Sequence, residues 1–67
     1  MSIGQKIRAL RLSHSLKQRE LAKMLSISPQ AISKWENGKN MPDISVLPKI
    51  ADCFGISMDE LFDHKKK

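Results

Sequence analysis

Four polar side chains near the middle of the chain have a spacing that would place them on one face of a helix. They are Gln30, Ser33, Lys34 and Asn37, at positions i, i+3, i+4 and i+7, and none of them is acidic. Amide, hydroxyl and ammonium groups can bond to the edges of nucleic-acid bases and to phosphate oxygens. The stripe could therefore contact a nucleic acid, and the plainer alternative is a solvated helix face.

Two short helices joined by a turn would hold this stripe in place. Apolar residues at helical spacing predict a first helix over 18–25, a turn over 26–28 and a second helix from 29 to about 36. Ser28 can cap the second helix, Pro29 suits its first position, and Gly38 fits the left-handed residue that ends it. The apolar positions are Leu21, Ala22, Leu25, Ile27, Ile32 and Trp35.

This stretch resembles the helix-turn-helix of the phage Cro/repressor-like (XRE) DNA-binding proteins. The matching residues are Gln18, Leu21-Ala22, Ile27, Ile32 and the run Trp35-Glu36-Asn37-Gly38-Lys39, followed by a helical pattern over 43–54 and the ending Met58-Asp59-Glu60-Leu61-Phe62. The resemblance extends from about residue 3 to residue 62. It implies an all-α fold, a compact five-helix lambda-repressor-like domain whose helix-turn-helix is formed by helices 2 and 3.

The resemblance also implies a role for particular residues. The base-reading positions are Pro29, Gln30, Ser33 and Lys34, and the phosphate-binding positions are Gln18, Ser28, Asn37 and Lys39. Arg11 and Glu36 occupy the places of a partly buried salt bridge between helix 1 and helix 3. Two residues depart from the family pattern: Lys17 stands where a Ser or Thr cap is usual, and Ser26 stands where the turn usually has glycine.

The rest of the chain supplies three more predicted helices. Ser2 caps the first, over about 2–13, and Ser57 caps the last, over 58–62. Asp43 is expected to cap helix 4, and Pro48 to bend it or to separate a first turn over 43–47. The expected apolar face of helix 4 is Ile44, Leu47, Ile50, Ala51 and Phe54, and the apolar surface left outside is Val46, Met58 and Phe62. That outer surface predicts a weak homodimer.

Length and composition limit the other possibilities. The 67 residues predict one domain over 1–63 and a disordered basic tail over 64–67, and the net charge of +5 favours an acidic partner. The single cysteine, Cys53, suits a reducing, cytoplasmic location and a core or near-core position, and His14 is expected at a surface or helix end. No metal-ligand spacing, membrane span, nucleophile motif or phosphate loop occurs, so we expect no metal, cofactor, small-molecule ligand or enzymatic activity.

These observations predict a sequence-specific regulator of transcription that binds double-stranded DNA. By resemblance it would be a repressor that reads a palindromic operator as a two-fold dimer. The alternative is a protein-interaction or antitoxin-type module that uses the same fold to bind another protein.

Overall fold

The computed structural model describes residues 2–62, and the expected end of the domain at residue 63 and the basic tail over 64–67 lie outside them. In the described part of the chain the fold consists of five helices and no strand, which confirms the predicted all-α class. The helices are α1 (Ile3–Ser13), α2 (Gln18–Leu25), α3 (Pro29–Glu36), α4 (Leu47–Phe54) and α5 (Met58–Leu61). Helices α2 and α3 form the helix-turn-helix.

Side-chain caps begin three of these helices where the sequence predicts them. Ser2, Ser28 and Ser57 each accept a hydrogen bond from the backbone N–H three residues later. Lys17 precedes α2 and has no acceptor atom in its side chain. Glu20 compensates in part, because its Oε1 accepts a hydrogen bond of 2.8 Å from the Lys17 N–H. The departure from the family pattern at Lys17 thus leaves α2 without a side-chain cap.

The turn between α2 and α3 uses a left-handed serine. Ser26 has φ 59° and ψ 41°, the conformation that the missing glycine would adopt more easily. The Ile27 N–H then donates to the Ala22 carbonyl at 2.9 Å and closes the end of α2. Ser15, between α1 and α2, also has a positive φ, 55°, which the sequence pattern did not indicate.

Helix α4 begins later than predicted. A separate turn over 44–46 comes first, closed by the Val46 N–H donating to the Asp43 carbonyl at 2.9 Å. Asp43 therefore caps this turn, through its bond to the Ser45 N–H, and does not cap the helix. Pro48 lies in the first turn of α4, where its missing N–H costs nothing, so the predicted separation at Pro48 is confirmed.

Two apolar residues near this turn lie on the opposite side from the one predicted. Ile44 was expected on the apolar face of helix 4 and is 80% exposed, because the turn carries it away from the core. Val46 was expected on the outer surface and instead packs, partly buried, against the core. The exposed large apolar side chains that follow the helix-turn-helix in the described chain are Met41, Ile44, Met58 and Phe62.

One core cluster joins all five helices. Its buried members are Ile7, Leu21, Ala22, Leu25, Ile32, Trp35, Ile50, Ala51, Phe54 and Leu61. Ala22, on α2, is 1% exposed within this cluster. Cys53 is half-buried against this cluster, and the His14 ring packs on the Phe54 ring with 5.0 Å between the ring centroids. Among the residues described, no helix has the length and apolar character to cross a membrane.

Candidate nucleic-acid interface

Helix α3 has a buried face and a polar outer face, as its spacing predicts. Ile32 and Trp35 are buried in the core, whereas Gln30 and Lys34 are exposed. Ser33 is half-buried between the two faces. Because Gln30 and Lys34 are four residues apart, they project side by side from the surface of the helix. The outer face therefore presents an amide and an ammonium group that a second molecule can reach.

The N-terminal end of this face is formed by Ser28 and Pro29, which are both exposed. The Ser28 Oγ accepts a hydrogen bond from the Ala31 N–H at 3.2 Å, so the hydroxyl proton remains available to an outside acceptor. Pro29 presents only its ring carbons. The positive end of the α3 dipole lies at the same place, and it favours an anion.

The C-terminal end of this face continues into a tight turn. The Asn37 Nδ2 donates to the Ser33 Oγ at 3.3 Å, which holds these two predicted DNA contacts together. Gly38 has φ 75°, as expected for the residue that ends α3, and the exposed Lys39 follows it. The Lys39 N–H donates to the Lys34 carbonyl at 2.8 Å, so the backbone of Lys39 is fixed beside the end of the helix.

A buried ion pair joins α1 to the end of α3. The Arg11 Nε and Nη2 donate to the two Glu36 oxygens at 2.8 and 3.0 Å, and Nη1 donates to the Leu16 carbonyl at 2.8 Å. The two side chains are 10% and 2% exposed, and the predicted partly buried Arg11–Glu36 salt bridge is confirmed. The bidentate geometry fixes both groups.

The ion pair changes the acidity of both partners. Burial alone raises the pKa of the Glu36 carboxyl group, but hydrogen bonds from Arg11 and Gln18 and the charges of Arg11 and Arg8 outweigh it. The pKa of Glu36 therefore lies below its ordinary value, and the carboxylate is charged at neutral pH. The hydrogen bond to Glu36 raises the pKa of Arg11 above its ordinary value, against the opposing effect of burial.

Gln18 joins this pair to the start of α2. Its Nε2 donates to the Glu36 Oε1 at 3.1 Å, a contact that sequence reasoning missed. The two residues are 18 positions apart and on different helices, so no local pattern indicates that they meet. One amide proton of Gln18 remains for an outside acceptor, such as a phosphate oxygen. The three residues Arg11, Gln18 and Glu36 thus form one network that connects α1, α2 and α3.

Comparison with known proteins identifies the fold family. The sequence model of the helix-turn-helix family matches residues 7–61 of the chain. The chain belongs to the Cro/repressor-like, XRE-type helix-turn-helix family. A solved XRE-type structure, the P22 c2 repressor in complex with a synthetic operator, matches with a TM-score of 0.86 and 31% identity. The match covers 97% of this chain and 98% of that one.

Two proteins that are similar to this chain are longer than it. The HTH-type transcriptional activator BcrR of Enterococcus faecalis is 41% identical over 61 residues, which are 91% of this chain and 30% of BcrR. The antitoxin PezA of Streptococcus pneumoniae is 31% identical over 64 residues, which are 96% of this chain and 40% of PezA. The chain therefore spans less than half the length of either relative.

Charge is unevenly distributed along this XRE-type domain. Residues 2–39, which contain the helix-turn-helix, carry eight Lys or Arg against two Asp or Glu, a net charge of +6. Residues 40–62, which contain α4 and α5, carry one Lys against four Asp or Glu, a net charge of −3. In the described part of the chain no three His, Cys, Asp or Glu side chains come together as they would to hold a metal ion.

Proposed function

We propose that this XRE-type domain is a sequence-specific DNA-binding regulator of transcription that reads the major groove with α3. The observation that carries the proposal is the exposed polar face of α3, held against α1 and α2 by a buried ion pair. An α-helix with its side chains is about 10–12 Å in diameter, and the major groove is about 12 Å wide. The helix can therefore lie in the groove with its outer face against the bases.

Each residue of the outer face has a chemical role in this arrangement. The Gln30 amide can pair with N6 and N7 of adenine, and the Lys34 ammonium can donate to O6 and N7 of guanine. Pro29 can make only van der Waals contact, for example with a thymine methyl group. Ser33, half-buried, can reach a base edge through its hydroxyl group.

A second set of residues would fix the domain on the DNA backbone. Gln18, Ser28, Asn37 and Lys39 surround α3 and carry N–H or O–H donors for phosphate oxygens. Such contacts position a protein on the duplex without reading its sequence. The +6 charge of residues 2–39 supports this role, because it draws this side of the domain towards DNA.

At the level of the whole protein, we propose a cytoplasmic repressor that binds a palindromic operator as a homodimer. The similarity to the P22 c2 repressor bound to an operator supports this reading. One domain of this size covers a half-site, and two domains with their α3 helices about 34 Å apart would contact successive turns of one face of the duplex. The half-buried free thiol of Cys53 suits a reducing compartment.

The test separates specificity from affinity with two substitutions. Gln30→Ala is expected to cost about 1–3 kcal/mol on the preferred site and much less on random DNA. Lys39→Ala is expected to weaken both duplexes similarly and to lower the slope of log K against log salt by about one. Titrations of specific and random duplexes at several salt concentrations measure both effects.

Lys49→Ala provides the matched control, because it removes an exposed lysine from α4, outside the helix-turn-helix. It should change neither specificity nor the salt slope by a comparable amount. An equal loss on both duplexes for Gln30→Ala would show that α3 does not read bases through this residue. If none of the variants affects DNA binding, the protein-interaction alternative, which the likeness to antitoxin PezA supports, becomes the better proposal.

A further inference from the structure

The backbone of α1 touches the C-terminal end of α3 at Gly4. A Cβ atom added to Gly4 would lie 1.8 Å from the Trp35 carbonyl oxygen and 2.8 Å from its carbon. Both distances are far below any van der Waals contact, and both atoms belong to the backbone. The φ of Gly4 is not positive, so the requirement for glycine here is steric, set by the approach of the two helices.

The carbonyl that Gly4 touches also closes the turn after α3. The Trp35 oxygen accepts a hydrogen bond of 3.1 Å from the Gly38 N–H. Gly38 is the left-handed residue of this turn, and Lys39 follows it directly. Gly4, the Trp35 carbonyl, the Gly38 N–H and the Lys39 backbone therefore form one continuous chain of contacts from α1 to the side of the candidate interface.

A second contact between α1 and the same end of α3 lies two helical turns further along α1. Arg11, seven residues after Gly4 and so on the same face of α1, holds Glu36, the residue after Trp35. Helix α1 thus holds two adjacent residues of α3, one by steric fit and one by charge. The N-terminal end of α3, with Pro29 and Gln30, has no such contact with Gly4.

We infer that Gly4 is a positioning residue for DNA binding, one that sets where the turn over 37–39 presents Lys39 to the DNA backbone. The inference rests on the proposed function. A cleft of about 420 Å³, whose walls include Gly4, Trp35, Gly38 and Met41, borders the turn. A side chain at position 4 would push the Trp35 carbonyl and its turn, and this cleft gives the turn room to move while the core stays packed.

Gly4→Ala tests the inference in two steps, the first of them without DNA. Alanine is the better helix former, so α1 itself should not weaken. In NMR spectra of the free domain, we expect the Gly38 and Lys39 amide resonances to shift and the Gly38 amide to exchange faster with solvent. Unchanged resonances and exchange at these two amides would overturn the inference, whether or not the domain binds DNA.

The second step measures DNA binding in both backgrounds. In the wild type, Lys39→Ala should lower the salt slope by about one. In the Gly4→Ala background, Lys39→Ala should lower the salt slope by much less, because Lys39 no longer contacts a DNA phosphate there. Gln30→Ala should reduce affinity for the preferred site by the same factor in both backgrounds, about 5- to 150-fold. An equal effect of Lys39→Ala in both would overturn the inference.

Two further variants separate positioning from simple loss of stability. Ile50→Val loosens the core from α4 without touching the contact between α1 and α3, and it should leave the effect of Lys39→Ala at its wild-type size. If Gly4→Ala does not fold, Gly38→Ala disturbs the same turn from its other side, since Gly38 has φ 75°. It should also reduce the effect of Lys39→Ala, and a full wild-type effect there would overturn the inference.

A wild-type domain that bound no DNA would refute the proposed function. The amide measurements on Gly4→Ala would still show whether Gly4 positions the turn over 37–39.

Discussion

The carboxylate of Glu36 accepts three hydrogen bonds from two other helices. Two come from the Arg11 guanidinium and one from the Gln18 amide. The Arg11 Nη1 donates a further hydrogen bond to the Leu16 carbonyl. Both charges are thus paired in a site nearly closed to solvent. Removing one partner of such a pair leaves a buried charge uncompensated, which typically costs about 3–5 kcal/mol.

Glu36→Gln keeps the shape of the side chain and removes its charge. We expect a loss of about 3 kcal/mol in the free energy of unfolding at pH 7, because Arg11 remains buried without a counter-charge. Since the folded pKa of Glu36 lies below its unfolded value of about 4.3, this stabilisation is complete above about pH 5. It is lost as the pH falls through the folded pKa.

Urea unfolding of the wild type and of Glu36→Gln between pH 7 and pH 3 measures this dependence. The difference between the two free energies of unfolding should shrink towards pH 3. Glu20→Gln is the control, because Glu20 is an exposed carboxylate outside the buried network. A difference that stayed constant with pH would mean that the charge of Glu36 contributes nothing to stability.

At this scale, the sequence shows which residues carry charge but not all of their contacts. The resemblance to the XRE family predicts the Arg11–Glu36 pair, and the structure confirms it. Gln18 was predicted only as a phosphate contact, and its bond to Glu36 went unforeseen. Gly4 gave no signal at all, since its importance comes from a tertiary contact with Trp35, 31 positions away in the chain.

Between the helices, the chain bends at two serines that hold a left-handed backbone conformation. Ser26 separates α2 from α3, and Ser15 separates α1 from α2, with φ 59° and 55°. A residue with a Cβ atom pays about 1–2 kcal/mol for this conformation, and glycine does not. The turn at Ser26 nevertheless determines the orientation of α3 relative to α2. The packing of both helices against the core therefore has to offset its strain.

Ser26→Gly should therefore stabilise the domain by about 0.5–1 kcal/mol, after allowing for the greater freedom of glycine in the unfolded chain. Thermal unfolding should show a rise of a few degrees. Ser15→Gly is expected to act in the same direction. Ser13→Gly is the matched control, because Ser13 is helical and its Oγ donates to the Leu10 carbonyl, so that variant should lose stability. A less stable Ser26→Gly would show that the turn needs the serine side chain.

The start of α4 shows where element prediction from sequence reached its limit. Asp43, Ile44 and Leu47 fit a helical pattern, and this pattern predicts a helix from residue 43. The structure instead forms a separate turn, because Asp43 bonds to the Ser45 N–H and Pro48 suits a helix start. The caps at Ser2, Ser28 and Ser57 were predictable, since in each case a side chain bonds to its own local backbone.

Across the described residues, four of the six exposed large apolar side chains belong to the segment 40–62, whose net charge is negative. These four are Met41, Ile44, Met58 and Phe62, and the same segment carries four of the seven acidic residues of the chain. This apolar surface is the place where we expect a second copy to bind. Because the acidic residues of both copies would approach each other, the homodimer should be weak without DNA.

Phe62→Lys tests this expectation by placing a charge in the exposed apolar surface. Sedimentation should show a weak concentration-dependent dimer for the wild type and only a monomer for the variant. Binding to a palindromic operator should lose its cooperativity, while affinity for a half-site is retained. Leu12→Lys alters an apolar side chain that is similarly exposed, 55% against 45%, but lies on α1, and it should leave the dimer intact. A wild type that stays monomeric both free and on the operator would contradict the proposed dimer.

The domain contains a single tryptophan, and it lies at the junction of α1 and α3. The Trp35 side chain is 6% exposed and faces the core, away from Gln30 and Lys34. Its fluorescence therefore reports on one place in the molecule, the docking of the end of α3. Emission should move to longer wavelength on unfolding and change little when a duplex binds the outer face. Tryptophan emission can therefore report folding in the same sample in which the signal of a labelled duplex reports binding.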